Sequence, residues 1–176
     1  GNPCGVSSAG MNINAINNLT VDDLRARLLG CCRCSGWAER VAASAPFAAA
    51  DNLRECCARQ WLRATEEEIL EAFFGHPQIG DMNALRNKYA STASAEQGQV
   101  TNATEGVLLA LREKNQLYLE KFGFIFIVCA TGKSASEMLA LLEARINNSP
   151  DEELVNGARE QGEIMNLRLS KLLKDD

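Results

Sequence analysis

At 176 residues the chain is long enough to bury a sizeable core without help from metals or disulfides. Lys and Arg number 18 against 23 Asp and Glu, and the resulting net charge of −5 repels phosphate backbones and acidic lipid surfaces, which excludes nucleic acid and membrane as expected partners. Hydrophobic residues make up 46%, as in an ordinary globular protein, and the longest apolar run, 122–130, is far too short to span a bilayer.

Residues 1–10, GNPCGVSSAG, are small and polar and lack the basic-then-apolar pattern of a secretory leader. They are expected to be an added remnant, with Met11 as the natural start, 11–176 as one domain and the cytoplasm as the compartment. The seven cysteines agree with a reducing compartment, being odd in number and spaced unlike a secreted disulfide framework. Cys31, Cys32 and Cys34, and the pair Cys56 and Cys57, invite a metal reading, but no CxxC occurs. Adjacent helical residues point about 100° apart, so reduced thiols within helix packing are expected instead.

One local pattern recurs along the chain: Ser or Thr, an acid or amide three residues later, then apolar residues at helical spacing. It opens a helix at Thr20, with the shorter Asp23 at the third position. A further helix is predicted over Asn52 to Leu62, after the Pro46–Phe47 turn, and the next capping box is Thr65 with Glu68. Ser94 with Gln97 opens a long helix through Val100, Leu108, Leu111 and Leu117, which Gly123 is placed to stop as a left-handed cap. The run 124–128, FIFIV, alone has strand character. With no second strand to pair its backbone, it is expected as a buried extended segment or a helical turn. Ser134 with Glu137 opens a helix whose apolar set is Met138, Leu141, Leu142 and Ile146, with Glu143 and Arg145 facing outward. Ser149 with Glu152, and Pro150 at the first helical position, open the last helix, which carries Leu154, Ile164, Leu167 and Leu172. The fold class is therefore all-α, a single-domain helical bundle of about seven or eight helices.

Three places could carry chemistry. His76 is the only histidine, and Gly75, Pro77 and Gly80 around it could hold the ring rigidly, as a general acid or base requires; equally, it could be a loop residue before a chain-breaking proline. Glu96 and Gln97 fit a capping box and a favourable helix dipole, yet a carboxylate there could also orient an imidazole. Arg168, four residues after Ile164 and four before Leu172, borders the expected apolar stripe, where a guanidinium needs an acidic partner or an anionic ligand.

Taken in order, these residues resemble the 2-oxo-4-hydroxy-4-carboxy-5-ureidoimidazoline (OHCU) decarboxylases of purine catabolism. The resemblance is carried by NNLTVDDLRARLLGCC with Trp37 beyond it, Pro46–Phe47, GHPQIGD at 75–81, SAEQ at 94–97, YLEKFGFIFIVCATGKS at 118–134 and EIMNLRLSKLL at 163–173. It implies a cofactor-free lyase, all-helical and usually homodimeric, that converts OHCU to (S)-allantoin late in urate degradation. It also implies that His76 is catalytic, with Glu96 beside it, and that Pro77, Gln97, Phe124, Phe126, Ile127 and Arg168 bind the substrate. In that reading His76 engages the hydroxyl and carboxylate side of the reacting carbon and Glu96 orients it. Arg168 and Gln97 hold the ring carbonyls or ureido group, and the wall 124–127 strips water from the carboxylate. Two departures weaken the expected positive field: Gln78 where many members have arginine, and Thr131 where many have a basic residue. The chain is also too short for the transthyretin-like hydrolase domain sometimes fused to this one, so the preceding hydrolysis is expected from another protein. Two rivals remain: a non-catalytic helical dimerisation module, and a thiol or metal protein built on the five clustered cysteines.

Overall fold

The computed structural model describes residues 10–78, 80–89 and 102–173. Among these, nine helices and no strand are present: α1 (Ile13–Asn17), α2 (Val21–Cys31), α3 (Ser35–Ala43), α4 (Ala50–Leu62), α5 (Glu66–Phe74), α6 (Met82–Lys88), α7 (Asn102–Phe122), α8 (Ala135–Arg145) and α9 (Pro150–Leu172). The all-α class is as expected. The count is higher because α1 and α6 start at Asn12 and Asp81, whose side chains accept the Ala15 and Asn83 amides, rather than at a Ser or Thr box. The boxes at Thr65, Ser134 and Ser149 are closed in both directions, and Thr20 caps one way. The Ser94 box lies outside the described residues, as do residues 1–9. No described helix is long and apolar enough to cross a membrane.

The chain divides into two compact units, Gly1–Gly75 with Ala158–Asp176, and His76–Gly157. In the first, α2 packs on α3, and α3 on α4 and α5. Ile16, Leu28, Trp37, Val41 and Leu53 are wholly buried there, each contributing about 1.5–3 kcal/mol for the larger apolar side chains. Both indoles find acceptors: Trp37 donates to the Cys57 carbonyl at 2.9 Å and Trp61 to that of Ala158 at 2.8 Å. Asn17 brackets the turn at Pro46, donating to the Phe47 carbonyl and accepting its N–H, both at 2.8 Å. Cys31, Cys32, Cys34, Cys56 and Cys57 are free, buried thiols, as the spacing suggested.

In the second unit α7 packs against α6 and α8. Leu108, Leu111, Tyr118 and Phe122 form the buried row of α7, while Leu117, expected inside, is 53% exposed. It sits one residue, and hence about 100°, from Tyr118. Gly123 ends the helix with φ +77° and its N–H on the Leu119 carbonyl at 2.8 Å, a left-handed cap as predicted. Along α9 the buried positions are Glu153, Gly157, Gln161, Met165 and Leu169, every fourth residue, whereas Leu154 and Ile164 are half-buried and Leu167 is 39% exposed. The expected stripe was therefore offset by about one residue.

Candidate active site

The chain reaches His76 from α5, whose seating is built by charge. Glu68 closes the capping box with Thr65 through one carboxylate oxygen and accepts Arg40 through the other at 2.8 Å. The Arg40 hydrogen bond, helped by the Thr65 amide, holds the Glu68 carboxyl below its ordinary value. One turn on, Glu71 accepts both the N–H and the hydroxyl of Ser35, at 3.2 and 2.8 Å. It thereby caps α3 from outside, where the N-cap residue Cys34 supplies no side-chain bond. Gly75 ends α5 at φ −72°, so its absent side chain matters for space rather than for backbone freedom: a Cβ there would meet Arg33 Cβ at 2.7 Å. Pro77 then biases His76 away from helix. His76 is half-buried, Pro77 and Gln78 are exposed, and Gln78 Nε2 donates to Gln116 Oε1 on α7 at 3.3 Å.

The second candidate segment follows α7. Residues 125–130 belong to no helix or strand among the described residues, and side chains take two of their carbonyls. Lys133 Nζ donates to the Cys129 carbonyl at 2.8 Å and Arg145 Nη1 to that of Ile127 at 2.8 Å. Phe124, Phe126 and Ile127 are buried, and the Phe124 and Phe126 rings meet Tyr118 edge-on at 6.1 and 5.3 Å between centroids.

Beneath them lies an ionic network that sequence reasoning missed. Arg145, expected to face solvent, is only 12% exposed; its Nε donates to Glu153 Oε1 at 2.8 Å, and its guanidinium lies over the Phe126 ring, 4.6 Å from the centroid. Arg145 Nη2 is buried without a hydrogen-bond partner among the described residues. Glu153 is 0% exposed. It also accepts the Tyr118 hydroxyl at 2.5 Å, Asn148 Nδ2 at 2.9 Å and Asn156 Nδ2 at 2.7 Å. Burial pushes its carboxyl up, but the bonds from Asn148, Tyr118 and Asn156 and the Arg145 charge outweigh that and hold it below its ordinary value. Burial and the neighbouring carboxylate push the Tyr118 phenol up.

Of the residues singled out from sequence, His76, Pro77, Phe124, Phe126 and Ile127 lie in the second unit, and both of their segments are tied to the C-terminal half of α7, at Gln116 and Tyr118. Glu96 and Gln97 lie outside the described residues. Arg168 is exposed on α9, one position before the buried Leu169, and its charge acts to lower the pKa of the buried Cys31 thiol against the burial that raises it. Thr131 is exposed. Among the described residues no group of three or more His, Cys, Asp or Glu is arranged to hold a metal ion. A cleft of about 230 Å³ beside the α3–α4 turn, lined by Phe47, Asn52, Glu55 and Arg59 among others, contains none of the predicted site residues.

The family model described as OHCU decarboxylase matches residues 17–170. The chain is 36% identical over 148 residues to the uric acid degradation bifunctional protein TTL of Arabidopsis thaliana, an alignment covering 82% of this chain and 46% of that protein. It thus spans about half the length of that relative. It is 28% identical over 138 residues to the 2-oxo-4-hydroxy-4-carboxy-5-ureidoimidazoline decarboxylase of Haloferax volcanii, covering 78% of this chain and 81% of that one. A crystal structure of OHCU decarboxylase determined in the presence of (S)-allantoin superposes with a TM-score of 0.68 at 35% identity, covering 84% of this chain and 96% of that one. By a match that runs through nearly its whole length, the chain belongs to the OHCU decarboxylase family.

Proposed function

We propose that the protein decarboxylates 2-oxo-4-hydroxy-4-carboxy-5-ureidoimidazoline to (S)-allantoin, and that residues 11–176 act as one decarboxylase domain. The observation that carries this is the likeness, at 35% identity and over 96% of that chain, to the OHCU decarboxylase whose structure was determined in the presence of (S)-allantoin. The reacting carbon bears a carboxylate and a hydroxyl. When the bond to the carboxylate breaks, carbon dioxide leaves and the bonding pair passes into the neighbouring ring unsaturation. The product is chiral, so the proton that completes it must arrive on one face.

His76 is assigned the proton transfer at the hydroxyl and carboxylate side. Its half-buried place, after a glycine held against Arg33 and before a proline, suits a ring that must stay in one orientation. The buried wall of Phe124, Phe126 and Ile127 suits desolvation of the leaving carboxylate, whose charge is lost on the way to carbon dioxide. Orientation of His76 by Glu96, and contacts from Pro77, Gln97 and Arg168 to the substrate, rest on the resemblance alone. So do a homodimer, which light scattering after size exclusion tests, and a cytoplasmic location.

The deciding experiment generates OHCU in situ from urate with uricase and the upstream hydrolase, and follows chiral allantoin by circular dichroism. Wild type should form (S)-allantoin well above the spontaneous racemic background, and His76→Ala should lose that excess while keeping its helical signal. Wild type no faster than background would sink the decarboxylase reading.

A further inference from the structure

We infer that Arg145 and Glu153 are positioning residues for the reaction: they fix the Ile127 carbonyl and the Phe126 ring, and so set the register of the backbone over which the substrate ring is held. The inference rests on the reading that 124–127 lines the substrate.

A segment outside helix and strand has no ladder to define its path, so whatever bonds its carbonyls decides where they point. At Ile127 that group is Arg145 Nη1, 2.8 Å away. The same planar guanidinium reaches Glu153 through Nε at 2.8 Å and covers the Phe126 ring at 4.6 Å. One rigid fork therefore fixes a carbonyl, a ring face and a carboxylate together. Glu153 is in turn locked from three places: Tyr118 on α7, Asn148 on the turn between α8 and α9, and Asn156 on α9.

A role in stability alone does not call for this arrangement. Apolar side chains of the same volume would fill the site without desolvating two charges, whereas an ionic cluster whose carboxylate is bonded from four sides defines one geometry. Tyr118 extends that geometry to the Phe124 and Phe126 rings, which it meets edge-on. Neither Arg145 nor Glu153 needs to touch the substrate.

The test is Arg145→Lys in the whole protein. A lysine keeps the charge opposite Glu153 but, as a point ammonium, cannot serve the Ile127 carbonyl, the carboxylate and the Phe126 face at once. Loss of a contact made equally to substrate and transition state raises KM and spares kcat, so KM should rise by about tenfold with kcat within about threefold. Leu108→Ala, which opens a cavity at a buried position of the same unit, controls for loss of stability and should leave KM within about twofold. A folded Arg145→Lys with unchanged KM, or an equal rise in Leu108→Ala, overturns the inference. If Arg145→Lys does not fold, Asn156→Ala carries the test, and an unchanged KM there overturns it equally. If wild type proves to have no decarboxylase activity, the functional reading is what fails, and hydrogen exchange then decides the anchoring: amides of 124–128 must exchange faster in Arg145→Lys than in Leu108→Ala, and equal rates refute it.

Discussion

Glu153→Leu removes the carboxylate while keeping much of its volume, and its effect can be reasoned from the four donors around it. The substitution leaves the Arg145 guanidinium buried with the Ile127 carbonyl and the Phe126 ring but no carboxylate, and leaves the Tyr118 hydroxyl and two amide groups without that acceptor. Breaking a buried ion pair from one side costs about 3–5 kcal/mol. The neutral donors could add about 1–3 kcal/mol each if they stayed unpaired, but Asn148 and Asn156 are half-buried and can turn to water, so about 4 kcal/mol is the expected loss. Against a total of roughly 5–15 kcal/mol that is a large fraction. With a urea slope of about 2 kcal/mol per molar, the midpoint should fall by about 2 M. The assay is far-UV circular dichroism rather than tryptophan fluorescence, because both indoles, Trp37 and Trp61, lie in the first unit. Adding Arg145→Met should recover at least half of the loss, since it removes the stranded charge. A loss under about 1 kcal/mol for Glu153→Leu, or a double variant as unstable as the sum of the singles, would refute the reasoning.

Stability should depend on pH at both ends. Glu68 and Glu153 have folded-state pKa values below the ordinary 4.5, so their contribution is present above that value and is lost as pH falls through the lower folded values; the urea midpoint should hold above pH 5 and drop below about 4.5. Cys31 is pushed the other way by burial, from 9.0 to about 11, so its contribution is present below pH 9 and lost as pH rises toward 11; a midpoint unchanged across that interval would contradict its burial. With five of seven thiols buried and free, a disulfide reagent at pH 8 should release no more than the other two rapidly, and the five only in denaturant; five or more fast thiols would contradict the packing of α2 to α4. Gly123→Ala, at φ +77°, should cost about 1 kcal/mol, whereas Gly30→Ala on α2, with nothing within 4 Å of the added Cβ, should stabilise by up to about 1 kcal/mol; equal effects at the two would remove the left-handed cap from the account of how α7 stops.

How much of this was legible follows from how local each cause is. Thr65, Ser134 and Ser149 start helices through bonds to residues three positions away, so four letters of sequence contain the whole interaction. The FIFIV run was readable in part: strand-like letters with no second strand in the sequence were not expected to form a sheet, and Phe124, Phe126 and Ile127 are buried outside helix and strand. Helix faces were harder, because the apolar letters on α7 and α9 do not all lie on the buried row, and Leu117 and Leu167 drew the expected stripe one residue aside. That offset had a consequence for the site. It gave no reason to look at Glu153, which begins the buried row continued by Gly157, Gln161, Met165 and Leu169.

Arg145 and Glu153 escaped for a further reason. An arginine in the last turn of α8 and a glutamate in the first turn of α9 each complement a helix dipole, an explanation that is complete on local grounds and silent about burial. Helix-end charges are thus where a sufficient local cause most easily hides a tertiary one. The signal that separates the two is the four-residue row: an acid that opens a series of uncharged, mostly small or apolar residues at that spacing is buried with them, and a buried acid requires a cation. Read so, Glu153 asks for a basic partner close by. Of the basic residues nearest before it, Lys133 is committed to the Cys129 carbonyl, which leaves Arg145, eight residues upstream across the α8–α9 turn, as the cation in reach.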